Sequence, residues 1–250
     1  MEHRVERSFL NTRRTPLGAL LDEFSYGVTV HRLALEVLQA RENTGMQQHW
    51  DAVYGARAPD QVSWFRPHLE TSLALIERAT RGDRAASIID VGGGASTLVD
   101  DLLGGGYENL TILDISRSAL EAAQDRLGKE AAKRIHWVQA DVRQPGLAPH
   151  SFEVWHDRAV FHFLTTPRDR AAYVRNAAMA VKPRGHVIVS TFGPEGPTTC
   201  SGLAVARYDA GSLHDEFGDR FRLVESLKEL HRTPFGGTQQ FLYCYCVLEP

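Results

Sequence analysis

The spacing of hydrophobic positions changes character near Met46. Before it, arginines (Arg4, Arg7, Arg13, Arg14) mix with Glu2 and Glu6. One amphipathic stretch stands out, His31 to Arg41, with Leu33, Val37 and Leu38 on a helical face. Beyond Met46 two periods alternate. A helical period over His68 to Ala79 puts Leu69, Leu73 and Ile76 on one face, and a short apolar run predicts a strand over Ser87 to Val91. A helix from Ser96 is stopped by Gly104, Gly105 and Gly106, and a strand follows at Leu110 to Leu113. The pattern Ser118…Glu121 reads as a capping box opening a helix to Leu127, ahead of a strand at Ile135 to Gln139. Phe152 to Trp155 reads as a strand, and Thr166 and Pro167 suit the N-cap and first position of a helix that ends at the turn "KPRG" before the strand His186 to Thr191. The tail departs from this rhythm: "FRLVESLKEL" and "QQFLYCYCVLE", joined by the turn-rich "HRTPFGG", read as a hairpin-like addition to a sheet.

The βα alternation implies an α/β fold, a parallel sheet with helices on both faces. The seam near Met46 divides the chain into an N-terminal extension, residues 1–45, expected to be partly disordered, and a single domain over residues 46–250, with Met46 as an alternative start. At 43% hydrophobic and 24% charged residues, with a net charge of -3, the chain has a soluble globular composition and no basic footprint for nucleic acid. No apolar run reaches the length of a membrane span, and no continuous apolar stretch follows the N-terminal arginines as a cleaved signal would need. Three late cysteines argue against a disulfide framework and for a reducing, cytoplasmic setting.

Candidate chemistry begins at "SIIDVGGGAS". A strand running into bare backbone before a helix is the usual cradle for a nucleotide-like ligand in a parallel sheet. A dinucleotide fingerprint requires a third glycine, and that position is Thr97. Asp90, two residues before Gly92, is a poor neighbour for phosphate and a good one for an ammonium group, which favours an amine-bearing nucleoside over Gly92, Gly93 and Gly94. Asp114, 22 residues after Gly92, suits ribose hydroxyls, and Asp141 in "QADV" suits an adenine amino group.

Taken in order and spacing, "IIDVGGGAS", "ILDIS", "QADV" and "VKPRGHVIVSTF" resemble the class I S-adenosylmethionine-dependent methyltransferases. The resemblance spans about Met46 to Pro250 and departs from the family pattern in having Ser96 at the third small position of the loop. It implies a Rossmann-like seven-stranded sheet of order 3-2-1-4-5-7-6 with strand 7 antiparallel. It also implies S-adenosyl-L-methionine as methyl donor, with Asp90 and Gly92 to Gly94 at the methionine moiety, Asp114 at the ribose and Asp141 at the adenine. Trp50, Tyr54, Trp64 and Phe65 are expected to form an aromatic lid that keeps water out.

The acceptor side rests on "VWHDRAVFHFL". Residues just past the fourth strand of this fold face the departing methyl, and here they include His156, Asp157, Arg158 and His162. If a helix begins near Asp157, Arg158 and His162 share a face at i, i+4; which histidine acts as a base, if either does, stays open. A cluster of this charge favours a soft anionic nucleophile, a small thiol or sulfide, over an incoming ammonium. Resemblance splits on the point. "VWHDRAVFHFLTTPRDRAAYV" is similar to a segment of thiopurine and related thiol methyltransferases, whereas "HWDAVYGARAPDQVSWF" and "STFGP" look like protein lysine methyltransferases. The acidic-Lys-Gly segment of the latter is absent, which favours a small-molecule substrate; a protein substrate and a non-catalytic cofactor-binding module are the rivals. Cys244 and Cys246 read as core, Cys200 as incidental to a Gly/Pro loop, and no metal is assigned because the acidic set does not extend beyond Asp141 and Asp157.

Overall fold

A computed structural model describes residues 44–250; the N-terminal extension before them and the expected helix over His31 to Arg41 lie outside the described residues. Strand β1 (Ser87–Val91) is buried from Ile88 onward because it has a neighbour on each side and a helical layer on each face. It lies between β2 (Asn109–Asp114) and β4 (Phe152–Arg158), with β3 (Ile135–Gln139) outside β2 and β5 (Val181–Phe192) beside β4, all parallel. A small hairpin, β6 (Thr199–Cys200) and β7 (Leu203–Ala204), stands apart from the main sheet. β8 (Phe221–Arg232) and β9 (Thr238–Leu248) complete it, β9 antiparallel between β5 and β8. The order β3-β2-β1-β4-β5-β9-β8 is the expected 3-2-1-4-5-7-6 once the hairpin is left out of the count.

Helix α1 covers residues 44–56, followed by α2 (Glu70–Thr80), α3 (Leu98–Gly104), α4 (Arg117–Leu127), the short α5 (Lys129–Ala132), α6 (Pro167–Ala180) and α7 (Ala210–Phe217). Alternation along the strands feeds two cores. One joins Trp155 and Val189 to Tyr173 of α6 and Phe217 of α7. The other joins Ile88, Val154 and Phe241 to Ile76 of α2, Leu102 of α3 and Leu120 of α4. Strand order reverses between β1 and β4, which makes their carboxyl ends the switch point where ligands bind in open parallel sheets. Among the described residues no helix is long and apolar enough to cross a membrane.

Four local expectations are corrected. β4 does not stop at Trp155: His156 and Asp157 pair with Asp90 and Val91 of β1, and Arg158 pairs with Ser190 of β5. The chain then turns through Ala159 at φ 76° into a 3-10 turn, Phe161–Phe163, so Arg158 and His162 are not i, i+4 on a helix. Three polar residues in a row hid a strand whose ladder partners satisfy their backbone. The cap of α4 is Ser116, whose Oγ accepts from the Ala119 amide at 3.2 Å; Ser118 lies inside the helix and its amide donates to Asp51. "KPRG" belongs to β5 as an irregularity, with Arg184 at φ 65° and a register shift against β4. The loop containing Cys200 forms β6–β7 around Ser201 and Gly202, both at positive φ as a tight hairpin turn requires.

Candidate active site

The glycine loop is shaped by the carboxylates beside it. Gly92 has φ +69° and donates its amide to Leu113 O at 2.6 Å. A Cβ on Gly92 would lie 2.0 Å from Val160, on Gly93 2.4 Å from Asp90 Oδ2, and on Gly94 2.5 Å from Asp114 Oδ2. Side chains there would displace both carboxylates, so the bare backbone and the two acids form one surface.

Asp114 is 6% exposed and accepts from the Ser116 amide at 2.8 Å. Burial pushes its carboxyl up to about 7, against the pull of that amide and with the charges of Asp90 and Asp51 adding to the rise. Asp141 follows β3 and is braced by Arg143, through its amide at 2.8 Å, Nε at 3.0 Å and Nη2 at 2.7 Å. The sequence reading missed that partner; the i, i+2 spacing was its only signal.

Over the cradle stands an aromatic wall. Trp50 packs against Tyr54, Trp64 and Phe163 with ring centres 6.2, 6.0 and 5.1 Å apart, so Phe163 rather than Phe65 completes the cluster. Asp51 holds α1 in place, accepting from Ser116 Oγ at 2.7 Å and from the Ser118 amide at 3.1 Å. Burial is the largest single influence and raises its carboxyl, but the hydrogen bonds from Ser116, Ser118 and Gln47 together outweigh it and hold the group below its usual value.

The four acceptor-side residues divide. Strand alternation puts His156 and Arg158 on one face of β4 and Asp157 on the other. His156 is buried, with Nδ1 2.7 Å from Asp90 Oδ1 and Nε2 2.9 Å from Ser72 Oγ. Asp157 accepts from the amides of Val160 and Phe161 at 2.9 and 3.1 Å and from the Tyr173 hydroxyl at 2.7 Å. Burial raises it to about 7 in spite of these donors. Its carboxylate therefore holds the turn that carries His162. Removing it in Asp157→Ala leaves three buried donors without their acceptor and is expected to lower unfolding free energy by about 2–4 kcal/mol. Urea denaturation checks this, and a loss within experimental error would refute the role.

Arg158 and His162 do converge. The Arg158 side chain is 6% exposed, lies over the Phe241 ring at 4.2 Å and donates from Nη1 to Trp64 O at 3.1 Å. Its Nε and Nη2 have no hydrogen-bond partner among the described residues; Glu229 Oε1 is 3.7 Å from Nη2 and is shared with Arg66 at 3.1 Å. His162 is fully buried between Phe163 and Phe192, and burial, with Arg158 nearby, lowers its pKa to about 3. Its Nδ1 accepts from the Phe192 amide at 3.2 Å, so the neutral ring carries its proton on Nε2, which has no partner among the described residues. Ser190, the ladder partner of Arg158, adds a buried hydroxyl likewise without a partner there. Among the described residues no group of three or more His, Cys, Asp or Glu is placed to hold a metal ion. Arg66, Glu229 and Ser190, all missed by the sequence reading, carry no local motif; only the pairing of β4, β5, β9 and β8 assembles them.

Residues 89–187 match the family model described as a methyltransferase domain, a span that contains the glycine loop, Asp114, Asp141 and the end of β4. The chain is an S-adenosylmethionine-dependent methyltransferase. S-adenosylmethionine is its methyl donor. This methyltransferase is similar to EEF1A lysine methyltransferase 2 of Mus musculus, at 24% identity over 205 residues covering 77% of this chain and 78% of that one. It shares its fold with 1,6-didemethyltoxoflavin-N1-methyltransferase of Burkholderia thailandensis, at TM-score 0.61 and 18% identity over 88% of this chain and 90% of that one. It shares it also with a chain solved in work on the conversion of a disulfide bond into a thioacetal group during echinomycin biosynthesis, at TM-score 0.64 and 19% identity over 82% and 92% of the two chains.

Proposed function

We propose that this methyltransferase methylates a small thiol, sulfide or related soft nucleophile that reaches the site as an anion. The observation that carries the reading is the pair of buried donors at the end of β4 and in the turn after it: Arg158 Nε and Nη2 and His162 Nε2 have no hydrogen-bond partner among the described residues. A buried polar group without a partner is costly, and an anionic acceptor atom satisfies both at once. Arg158 and Arg66 share the carboxylate of Glu229, and Arg66 also pairs with Glu70 at 2.8 Å, so the charge around the pair is balanced and the reading rests on the unpartnered donors.

The cradle fits the donor molecule. Asp90 and the Gly92–Gly94 backbone take the amino acid moiety, the buried Asp114 carboxylate takes two ribose hydroxyls, and Asp141, braced by Arg143, keeps lone-pair capacity for an adenine amino group. Trp64 and its aromatic neighbours exclude water. When bound, S-adenosylmethionine supplies an electrophilic methyl group on a sulfonium sulfur. Arg158 lowers the pKa of an incoming thiol, whose proton leaves to solvent before reaction. The thiolate forms the new S–C bond as the old C–S bond breaks, its electron pair passing to the departing sulfur. His162, held neutral by burial, donates a hydrogen bond and orients the nucleophile; it takes no proton. Most of the rate then comes from alignment in a dry site.

A second reading, protein lysine methylation, is favoured by the likeness to EEF1A lysine methyltransferase 2 along most of both chains. Formation of S-adenosylhomocysteine with hydrogen sulfide and a panel of small thiols, run beside a cell lysate given labelled donor, separates the two. Turnover on the thiols is expected; labelled protein bands without any thioether product would reverse the assignment, and no turnover in either arm would favour a binding module.

A further inference from the structure

We infer that His156 is a positioning residue that aims the Asp90 carboxylate at the amino group of the donor, and that it takes no part in acceptor chemistry. The inference rests on the reading above that Asp90 holds the amino acid moiety. Asp90 and His156 are ladder partners on β1 and β4, and their side chains lie on the same face, 4% and 1% exposed. A carboxylate only accepts, so the proton in this contact belongs to Nδ1. Behind it, His156 Nε2 meets Ser72 Oγ of α2 at 2.9 Å, and Ser72 Oγ meets the Tyr243 hydroxyl of β9 at 3.1 Å. Ser72 and Tyr243 are also buried, so the imidazole is held at both nitrogens and cannot turn.

The two oxygens of Asp90 are thereby divided. Oδ1 faces His156, while Oδ2 stands over the glycine loop, 2.4 Å from where a Cβ on Gly93 would lie. An aspartate has two rotatable bonds, and this contact sets both, leaving Oδ2 toward the cradle. Without His156 the carboxylate is free to rotate and to lose its aim. The imidazole has no ring nitrogen left to offer a nucleophile.

Calorimetry with two probes tests this: S-adenosylhomocysteine, which carries the amino acid moiety, and 5′-methylthioadenosine, which lacks it. His156→Asn places an amide nitrogen where Nδ1 stood and keeps the bond to Asp90; His156→Gln reaches Ser72 instead. His156→Gln is expected to weaken S-adenosylhomocysteine by about tenfold, the scale of one charge-assisted hydrogen bond, and His156→Asn by no more than about threefold. Neither should alter 5′-methylthioadenosine binding. Parallel losses for both probes would show a general collapse of the site and overturn the inference. So would unchanged S-adenosylhomocysteine affinity in His156→Gln, provided Asp90→Ala still weakens it. If Asp90→Ala also binds normally, the placement of the amino acid moiety itself is wrong.

Discussion

Replacing Arg158 by methionine lowers kcat/KM for a thiol acceptor by roughly two to three orders of magnitude, the usual loss when a preorganised charge at the reacting atoms is removed, and leaves donor affinity within about twofold. Methionine keeps the unbranched stem that packs on Phe241, and Glu229 retains Arg66 at 3.1 Å, so no charge is orphaned and the fold survives. The lost cation no longer favours the thiolate, so the pH profile of kcat/KM moves toward alkaline pH by about one unit or more. Arg158→Lys recovers little, because a point charge cannot reproduce a fork whose Nη1 is spent on Trp64 while Nε and Nη2 stay available. His162→Phe preserves the stacking on Phe192 and loses only the Nε2 donor, with a smaller fall in the same parameter. Turnover and calorimetry on the same preparations decide the matter. Arg158→Met that binds no donor would mark the arginine as structural, and undiminished turnover would remove it from the acceptor site.

Removing the Asp114 carboxyl has the largest expected effect on the donor: Asp114→Ala raises its Kd by about 100-fold, as two charge-assisted hydrogen bonds are lost. The intact carboxyl also makes binding depend on pH. It titrates near 7 in the ligand-free chain, burial being the main cause, against about 3.9 in an unfolded chain. With the ribose seated on Asp114 as proposed, its hydroxyls donate to the ionised form, so affinity is expected to rise with pH and to be about tenfold weaker at pH 6 than at pH 8. Stability runs the other way. Because the folded value is raised, the contribution of Asp114 is fully present below about 4, declines as pH climbs, and is lost once pH passes about 7. Asp157, also near 7, adds to that decline but not to the affinity, since it faces the other core. Asp114→Asn should flatten the affinity profile between pH 6 and 8; a slope that persists would assign it to another group.

The glycine loop and the acids beside it were legible in the sequence because their requirements are local. A ligand that lies against backbone demands glycines at consecutive positions, and the collisions at Gly92, Gly93 and Gly94 show how little room there is. The aspartates at the ends of β1 and β2 and after β3 follow from the same strand-to-loop rhythm. "HDRAVFH" drew attention to the segment on which the proposed acceptor site rests, but three polar residues in sequence do not read as a buried strand. Their roles depend on partners far along the chain, Asp90 at 66 residues from His156 and Phe192 at 30 from His162.

The sequence by itself determined the periods that make the elements, the bare loop and the acids beside it, and through them the class of donor. Only the tertiary structure decided which of the four polar residues at the end of β4 and in the turn after it are spent and which are left over. His156 and Asp157 are consumed by Asp90, Ser72 and Tyr173, whereas Arg158 and His162 keep free donors. The physical reason is that hydrogen-bond satisfaction in a buried site is set by register between strands remote in sequence, and no local pattern encodes that register.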